Sequence, residues 1–92
     1  EPIMNIEAMK FNRCMNKHSQ LCSGPGKLTQ AFGINKIHHG LDATDRDSEI
    51  ILVDGIKNEN FEIVRDYRIG VTKDLEEPMR FYIKDNKWVS KK

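Results

Sequence analysis

Two cysteines and a histidine have a spacing that could bind a metal ion. Cys14, His18 and Cys22 recur every four residues, so on one continuous helix they would share a face and could ligate zinc. A helix start at Ser23 interrupts that geometry, and a fourth ligand would have to come from the histidine pair at 38–39. We therefore predict no bound metal, and interpret the three residues as two reduced, partly buried thiols and a surface histidine.

The segment from Gly24 to Lys27 is similar to the end of a phosphate-binding loop. That loop requires glycine, and then serine or threonine, at the positions occupied here by Leu21 and Leu28. The pattern therefore excludes a nucleotide triphosphatase. What remains is a helix N-terminus with a nearby lysine, a combination that can attract an anion. A plain helix cap is the alternative interpretation of the same residues.

No group of residues has the arrangement expected of a catalytic centre. His38 and His39 have no serine or cysteine nucleophile nearby, and Glu76 and Glu77 precede a proline in a segment typical of a solvated loop. Neither a Cys-x-x-Cys nor a Gly-x-Gly-x-x-Gly motif occurs in the sequence. The lone Trp88 is predicted to lie in the core rather than to serve as a stacking surface.

Charge is unevenly distributed, although the 92 residues carry a formal net charge of only +1. Residues 1–40 contain five lysines and arginines, two glutamates and all three histidines. Residues 41–92 contain ten basic and twelve acidic residues. A basic first half favours an anionic partner, and an ordinary solvated surface is the alternative.

Composition also bears on the compartment. No apolar run approaches the roughly 20 residues of a membrane span, and no basic stretch followed by an apolar one predicts a secretory signal. Two cysteines without such a signal suit a reducing compartment. We expect an intracellular protein with no membrane partner, nuclear in a eukaryote and cytoplasmic otherwise.

Local patterns predict helices in the first half of the chain and strands in the second, which is an α+β fold. Pro2 suits the first turn of a helix, Ser23 or Gly24 with Pro25 begins a second one, and Gly33 ends it. Alternating and β-branched residues predict the strands. The expected elements are a helix at 2–13, a helix between 24 and 33, strands at 49–53, 61–71 and 79–84, a short closing strand at 88–89, and irregular segments at 16–21 and 37–48.

Four stretches of the chain together are more specific than any single motif. The longest is LCSGPGKLTQA at 21–31 followed by GINK at 33–36; the others are Glu1-Pro2, RIGV at 68–71, and EPMRFY at 77–82 with WVS at 88–90. Their identity, order and spacing resemble those of the alkyladenine (3-methyladenine) DNA glycosylase family. The resemblance covers nearly the whole chain.

The resemblance implies a fold and an activity. Residues 1–92 would be the C-terminal half of one mixed α/β domain built on a curved antiparallel sheet. The family flips a damaged nucleotide out of double-stranded DNA and hydrolyses its N-glycosidic bond. The implied substrates are 3-methyladenine and 7-methylguanine, with hypoxanthine and ethenoadenine as further candidates. No metal or organic cofactor is implied.

By the same resemblance, the chemistry belongs to the other half of the enzyme. The glutamate that activates water, the intercalating tyrosine and the stacking aromatic residues of the family lie in the N-terminal half. No glutamate of this chain matches the catalytic motif, so we expect no catalytic residue here and no activity of the chain alone. The N-terminal half is thus an expected partner, as is damaged double-stranded DNA.

Four residues of this chain are implied in binding substrate or DNA. Ile69 is expected to face the flipped base, and the Gly70 backbone to approach its phosphate so closely that a Cβ is not tolerated. Lys27 and Lys36 are expected on the DNA face. The alternatives are a DNA-binding module without catalysis and a structural subdomain that docks onto a partner.

Overall fold

The computed structural model describes residues 1–55 and 60–90 and has two short helices followed by a β-hairpin. Helices α1 (Ile6–Arg13) and α2 (Pro25–Phe32) pack against each other, and strands β1 (Ile63–Asp66) and β2 (Arg80–Ile83) form an antiparallel pair. Single 3₁₀ turns cover His18–Gln20 and Lys36–His38. The α+β class expected from the sequence is confirmed. Among the described residues, no helix is long and apolar enough to cross a bilayer.

Helix α1 begins four residues later than predicted. Asn5 has a left-handed backbone with φ of 54°, a conformation that a right-handed helix cannot contain but that asparagine tolerates at a terminus. Pro2 is buried ahead of the helix, where its carbonyl lies 3.1 Å from His18 Nε2. The helix ends at Cys14, whose φ is 50° and whose N–H donates to the Phe11 carbonyl.

Helix α2 has the bounds that its terminal residues predict. Pro25 occupies the first turn, where its missing N–H costs no helical hydrogen bond. Gly33 follows the last turn with φ of 69°, a left-handed conformation that glycine adopts without a Cβ clash. The N–H of Ile34 then donates to the Thr29 carbonyl at 2.8 Å, which satisfies one of the terminal carbonyls of the helix.

The buried core lies between the two helices and is small. Among the described residues, its buried hydrophobic side chains are Met9, Leu21 and Ala31, from α1, the connection and α2 respectively, and Leu21 is completely enclosed. Two side chains of α1 donate hydrogen bonds across this contact: Asn12 Nδ2 to the Ala31 carbonyl at 3.0 Å, and Arg13 Nε to the Leu21 carbonyl at 3.1 Å. The helices are therefore joined by polar contacts to backbone as well as by apolar packing.

Strand β2 confirms the strand predicted at 79–84, whereas β1 is shorter than the strand predicted at 61–71. Ile63 pairs with Ile83, and Asp66 with Arg80. Beyond Asp66 the strand gives way to a loop, in which the N–H of Tyr67 donates to the Asp66 carboxylate at 2.7 Å. Alternate residues of the hairpin are exposed, which leaves one face of this sheet open to solvent.

Two predicted strands are wrong. Residues 49–53 are irregular, and their backbone bond to another segment is that from Leu52 N–H to the Ala43 carbonyl at 2.8 Å. Residues 88–89 belong to a turn in which Asn86 Oδ1 accepts the N–H of Trp88. An apolar, β-branched run becomes a strand only where another strand supplies hydrogen-bond partners, and no described segment does so here.

The chain is less compact than a folded domain of its size. Its accessible surface is 8114 Å², whereas a folded monomer of 10.7 kDa is expected to expose roughly 5,500 Å². Its radius of gyration is 14.9 Å, against an expected value of about 12 Å. Much apolar surface therefore finds no cover within the chain.

Candidate nucleic-acid interface

A groove lies between the first turn of α2 and the β-hairpin, with a volume of about 780 Å³. We call it the α2–hairpin groove. One wall is formed by residues 22–25 and Lys27, and the other by residues 79–82. The loop that joins the strands contributes Arg68, Ile69 and Val71, and the final turn contributes Trp88. Apolar, aromatic and cationic side chains thus line the same cleft.

Lys27 supplies a cation at the helix end of this groove. It stands on the first turn of α2, where the unpaired backbone N–H groups also give a partial positive charge. Its Nζ lies 3.3 Å from Ser23 Oγ, and the side chain is half-buried. It forms no ion pair with any residue of 1–55 or 60–90. The amine can therefore meet an external anion without first breaking a salt bridge.

Ile69 and Gly70 lie in the loop between the two strands, which we call the pocket loop (residues 67–75). Ile69 lines the groove and remains 44% exposed. Gly70 has φ of 75°, and a Cβ built on it would meet no atom within 4 Å. The backbone conformation thus favours glycine, while the space beside it is open. The expected approach of a phosphate to Gly70 stays a prediction.

Lys36 lies away from the groove. It follows the C-terminal end of α2 and borders a separate depression with Thr29, His38 and Ile50. Helix α2, with eight residues, spans about 12 Å and separates the two lysines. Lys36 is exposed and, like Lys27, forms no ion pair within the described residues. The structure therefore brings Lys27 and Ile69 to one site and places Lys36 at a second position.

The polar contacts among the residues beside the groove were not predicted from the sequence. Arg68 is paired with Asp74 at 2.7 Å, and Arg80 with Asp66 at 3.5 Å. The Arg80 guanidinium also lies over the Tyr82 ring, 4.3 Å from its centroid, which is a cation–π distance. The pairing of Asp66 with Arg80 follows from strand register, so a correct hairpin alignment would have indicated it.

Asp74, near the C-terminal end of the pocket loop, has a shifted pKa. Hydrogen bonding from the Arg68 side chain holds the pKa of this carboxyl below its ordinary value of 3.8, assisted by the N–H groups of Leu75 and Arg68 and opposed by desolvation. The group is therefore a carboxylate at neutral pH, and it balances the charge of Arg68. Lys27 remains as a groove cation without a described carboxylate partner.

His18 and Trp88 connect the helical layer to the final turn. Their ring centroids are 5.1 Å apart at an interplanar angle of 63°, an edge-to-face arrangement. Trp88 is half-buried rather than enclosed in the core, and Lys87 Nζ lies 5.1 Å from its ring centroid. The His18 ring therefore packs against Trp88, and its Nε2 lies within hydrogen-bond distance of the Pro2 carbonyl.

The three residues with metal-like spacing do not converge. Cys14 is exposed, contrary to its predicted partial burial, and its Sγ lies 3.7 Å from the Phe11 carbonyl. Cys22 packs against the helical core. Within the described part of the chain, no three histidine, cysteine or acidic side chains form a metal-binding group.

We predict that purified protein contains no stoichiometric zinc. Cys14 and His18 point to different partners, so a bound ion would find too few ligands for a tetrahedral site. Elemental analysis after dialysis, with a Cys14→Ala and Cys22→Ala double variant as the blank, measures this. One zinc per chain in the parent and none in the variant would contradict it.

The fold and groove together define an α+β unit with a cleft lined by cationic, apolar and aromatic side chains. Residues 1–87 match the methylpurine-DNA glycosylase (MPG) family. The chain belongs to this family, as its resemblance to the alkyladenine glycosylases predicted.

Several curated relatives have the name "Putative 3-methyladenine DNA glycosylase", among them the following three. A protein of Francisella tularensis subsp. tularensis (strain FSC 198) is 50% identical over 100% of this chain and 48% of its own length. One from Bradyrhizobium diazoefficiens is 40% identical over 99% of this chain and 44% of its own length. One from Methanoculleus marisnigri is 35% identical over 100% of this chain and 48% of its own length. The chain thus spans about half the length of the curated relatives it matches.

Proposed function

We propose that this chain forms part of a DNA glycosylase that hydrolyses the N-glycosidic bond of alkylated purines in double-stranded DNA. Family membership over residues 1–87 and the names of the relatives support this activity. The structural observation that carries the proposal is the α2–hairpin groove, which combines Lys27, a cation with no ion pair among residues 1–55 and 60–90, with the exposed apolar side chain of Ile69.

Each groove residue has a physical role in this proposal. Lys27 attracts a phosphate, because an amine without a carboxylate partner can replace the counterions of DNA. Ile69 packs against the flipped base, where burial of apolar surface on both partners helps to hold the base outside the duplex. Gly70 presents backbone to the phosphate of the same nucleotide. Lys36 adds a second phosphate contact beyond the far end of α2.

The reaction itself uses groups that this chain does not supply. A glutamate outside residues 1–92 activates water, which attacks the sugar carbon as the alkylated purine leaves. Because many alkylated purines carry positive charge, they are good leaving groups, and the proposed hydrolysis requires no metal or organic cofactor. We place the protein inside the cell, in the nucleus of a eukaryote or otherwise in the cytoplasm, where its DNA substrate is found.

We further propose that the other half of the enzyme covers the open face of the hairpin. Phe61, Ile63, Phe81 and Ile83 lie on that face or its continuation and are 37–59% exposed. Ile51 and Val53 add exposed apolar surface from the irregular segment before the hairpin. Since the relatives are about twice as long as this chain, they have enough additional sequence to cover these residues.

The activity is tested with a chimera in which residues 1–92 replace the matching segment of the Francisella relative. The substrates are duplexes containing 7-methylguanine or hypoxanthine, and the unaltered relative is the positive control. Base release by the chimera is the expected result. DNA binding without base release, beside an active control, would favour the alternative of a DNA-binding module without catalysis.

Lys27 and Lys36 are expected to contribute sequence-independent attraction to DNA. Changing either to alanine in the chimera should weaken duplex binding and reduce the slope of log K against log salt by up to about one. Lys10→Ala is the matched control, because Lys10 already pairs with Glu7 at 2.7 Å on α1. Salt slopes from fluorescence anisotropy measure the effect. If both variants have the salt slope of the parent, these lysines do not contact DNA phosphates.

A further inference from the structure

Both ends of the groove-lining part of the pocket loop are bonded to a single carboxylate, that of Asp74, and Tyr67 Oη donates a further bond across the loop to the Glu76 carbonyl at 3.4 Å. Asp74 Oδ2 accepts the backbone N–H of Arg68 at 2.7 Å. Its other oxygen, Oδ1, accepts Arg68 Nε at 2.7 Å and the backbone N–H of Leu75 at 2.8 Å. Three N–H donors therefore converge on one side chain, and hydrogen bonds to an ionised acceptor are among the stronger ones in proteins.

The residues between these contacts are the ones that face the groove. Ile69 and Val71 line it and are 44% and 41% exposed, and Gly70 between them has φ of 75°. The enclosed core of Met9, Leu21 and Ala31 lies elsewhere, so apolar burial does little to fix the loop. The Asp74 contacts, together with the longer bond from Tyr67 to Glu76, therefore fix the positions of Ile69 and Gly70.

We infer that Asp74 is a positioning residue, which holds the pocket loop in the shape that receives the flipped nucleotide. This inference rests on the proposed function, since it takes Ile69 and Gly70 as the residues that meet that nucleotide. Asp74 also pairs with Arg68. In this arrangement Arg68 shapes the loop, while Lys27 attracts the phosphate.

The loop should keep this shape throughout the neutral and mildly acidic range. Because Arg68 lowers the pKa of Asp74 below 3.8, the contact contributes fully above the ordinary aspartate pKa. It is lost only as the pH falls through the lower pKa of the folded state. Loss of activity near pH 5 to 6 would therefore have to come from another group.

The inference predicts a separation between binding and turnover. Asp74→Ala in the chimera should lower kcat for hypoxanthine excision by up to about 100-fold, since displacement of a positioning group by about 1 Å has effects of that size. Asp74→Asn should fall between the parent and Asp74→Ala, because its amide oxygen can still accept one N–H. Affinity for undamaged duplex should be unchanged or higher, because Arg68 loses its carboxylate partner and can meet a phosphate.

Glu62→Gln is the matched control. Glu62 pairs with Lys84 at the same distance, 2.7 Å, beside the opposite end of the hairpin. Its removal should leave kcat unchanged. Hydrogen exchange should show faster exchange over residues 67–76 in the Asp74 variants and not in Glu62→Gln. The overall melting temperature should stay close to that of the parent in all three.

The outcomes distinguish this inference from the proposed function. A parent chimera that releases no base overturns the proposed function and this inference with it. A parent that releases base beside an equally active Asp74→Ala variant overturns the inference alone. A loss of kcat that Glu62→Gln shares, or that accompanies a lower melting temperature and weaker duplex binding, would also overturn it, because general destabilisation would then explain the loss.

Discussion

Residues 1–92 on their own are expected to release no alkylated base from DNA and to show no cooperative thermal melt. The two expectations have separate causes. The first is chemical: no glutamate in the chain matches the catalytic motif of the family it resembles. The chain is therefore expected to lack the group that activates water, and base release should fall to the background of the DNA itself.

The second cause is the exposed apolar surface. Burial of apolar area is the main favourable contribution to folding, at about 25 cal/mol per Å². The chain exposes 8114 Å² rather than the roughly 5,500 Å² expected for its mass. Phe81 is 57% exposed and Val53 76%. With Met9, Leu21 and Ala31 as its buried hydrophobic core, the chain has little to offset the conformational entropy lost on folding.

Circular dichroism during heating and an excision assay on a duplex containing 7-methylguanine test both parts. The unaltered Francisella relative gives the reference melt and the reference rate. Adding the part of that relative that residues 1–92 do not match should restore a cooperative melt and base release if the two parts fold together. A cooperative melt of the isolated, monomeric chain would contradict the folding argument, and base release by it would contradict the placement of the chemistry.

Local backbone chemistry made helix α2 and the second hairpin strand predictable. The fixed φ of Pro25 favours a helix start, and the left-handed φ of Gly33 ends the helix. The bounds of α2 therefore depend little on the rest of the fold. The strand over 80–83 follows from an apolar stretch that ends at a turn, and the structure places its partner strand close by in sequence.

The wrong predictions concern elements that depend on distant partners. The run at 49–53 has strand-like composition, yet its Leu52 N–H bonds to Ala43 rather than to a strand. Trp88 packs at its edge against His18, seventy residues earlier, and not within a closing strand. The start of α1 has a different, local cause. It depends on the left-handed conformation of Asn5, which is one of several that asparagine can adopt. The C-terminal position of the chain within a larger domain stays a prediction.

The roles of the four expected site residues stay predictions, and the structure shows only where these residues lie. Lys27 and Ile69 line the same groove, whereas Lys36 borders another depression. Asp74 was missed because, in sequence, it is one acidic residue in a polar segment. Its proposed role can be recognised only from the structure, in which the N–H groups of Arg68 and Leu75 donate to its carboxylate. The family resemblance identified the loop, and the geometry identified what holds it.

Gly70→Ala is expected to lower excision strongly while leaving the fold nearly intact. An alanine at φ of 75° costs about 1 kcal/mol or slightly more, because its Cβ crowds the neighbouring carbonyl in the left-handed region. That strain alone would reduce stability modestly. The larger effect is expected in the complex, where the new methyl group would occupy the space through which the phosphate approaches the backbone. Hypoxanthine excision should then fall by up to about 100-fold.

Gly40→Ala separates these two effects. Gly40 has φ of 83°, and a Cβ built on it, like one on Gly70, would meet no atom within 4 Å. The two substitutions therefore impose similar backbone strain in similarly open space, but Gly40 lies outside the groove. In the chimera, both variants should lower the melting temperature by a similar amount, and only Gly70→Ala should lower kcat/KM. Parent-like excision by Gly70→Ala would mean that no phosphate comes close to this loop, and an equal loss in Gly40→Ala would assign the effect to strain.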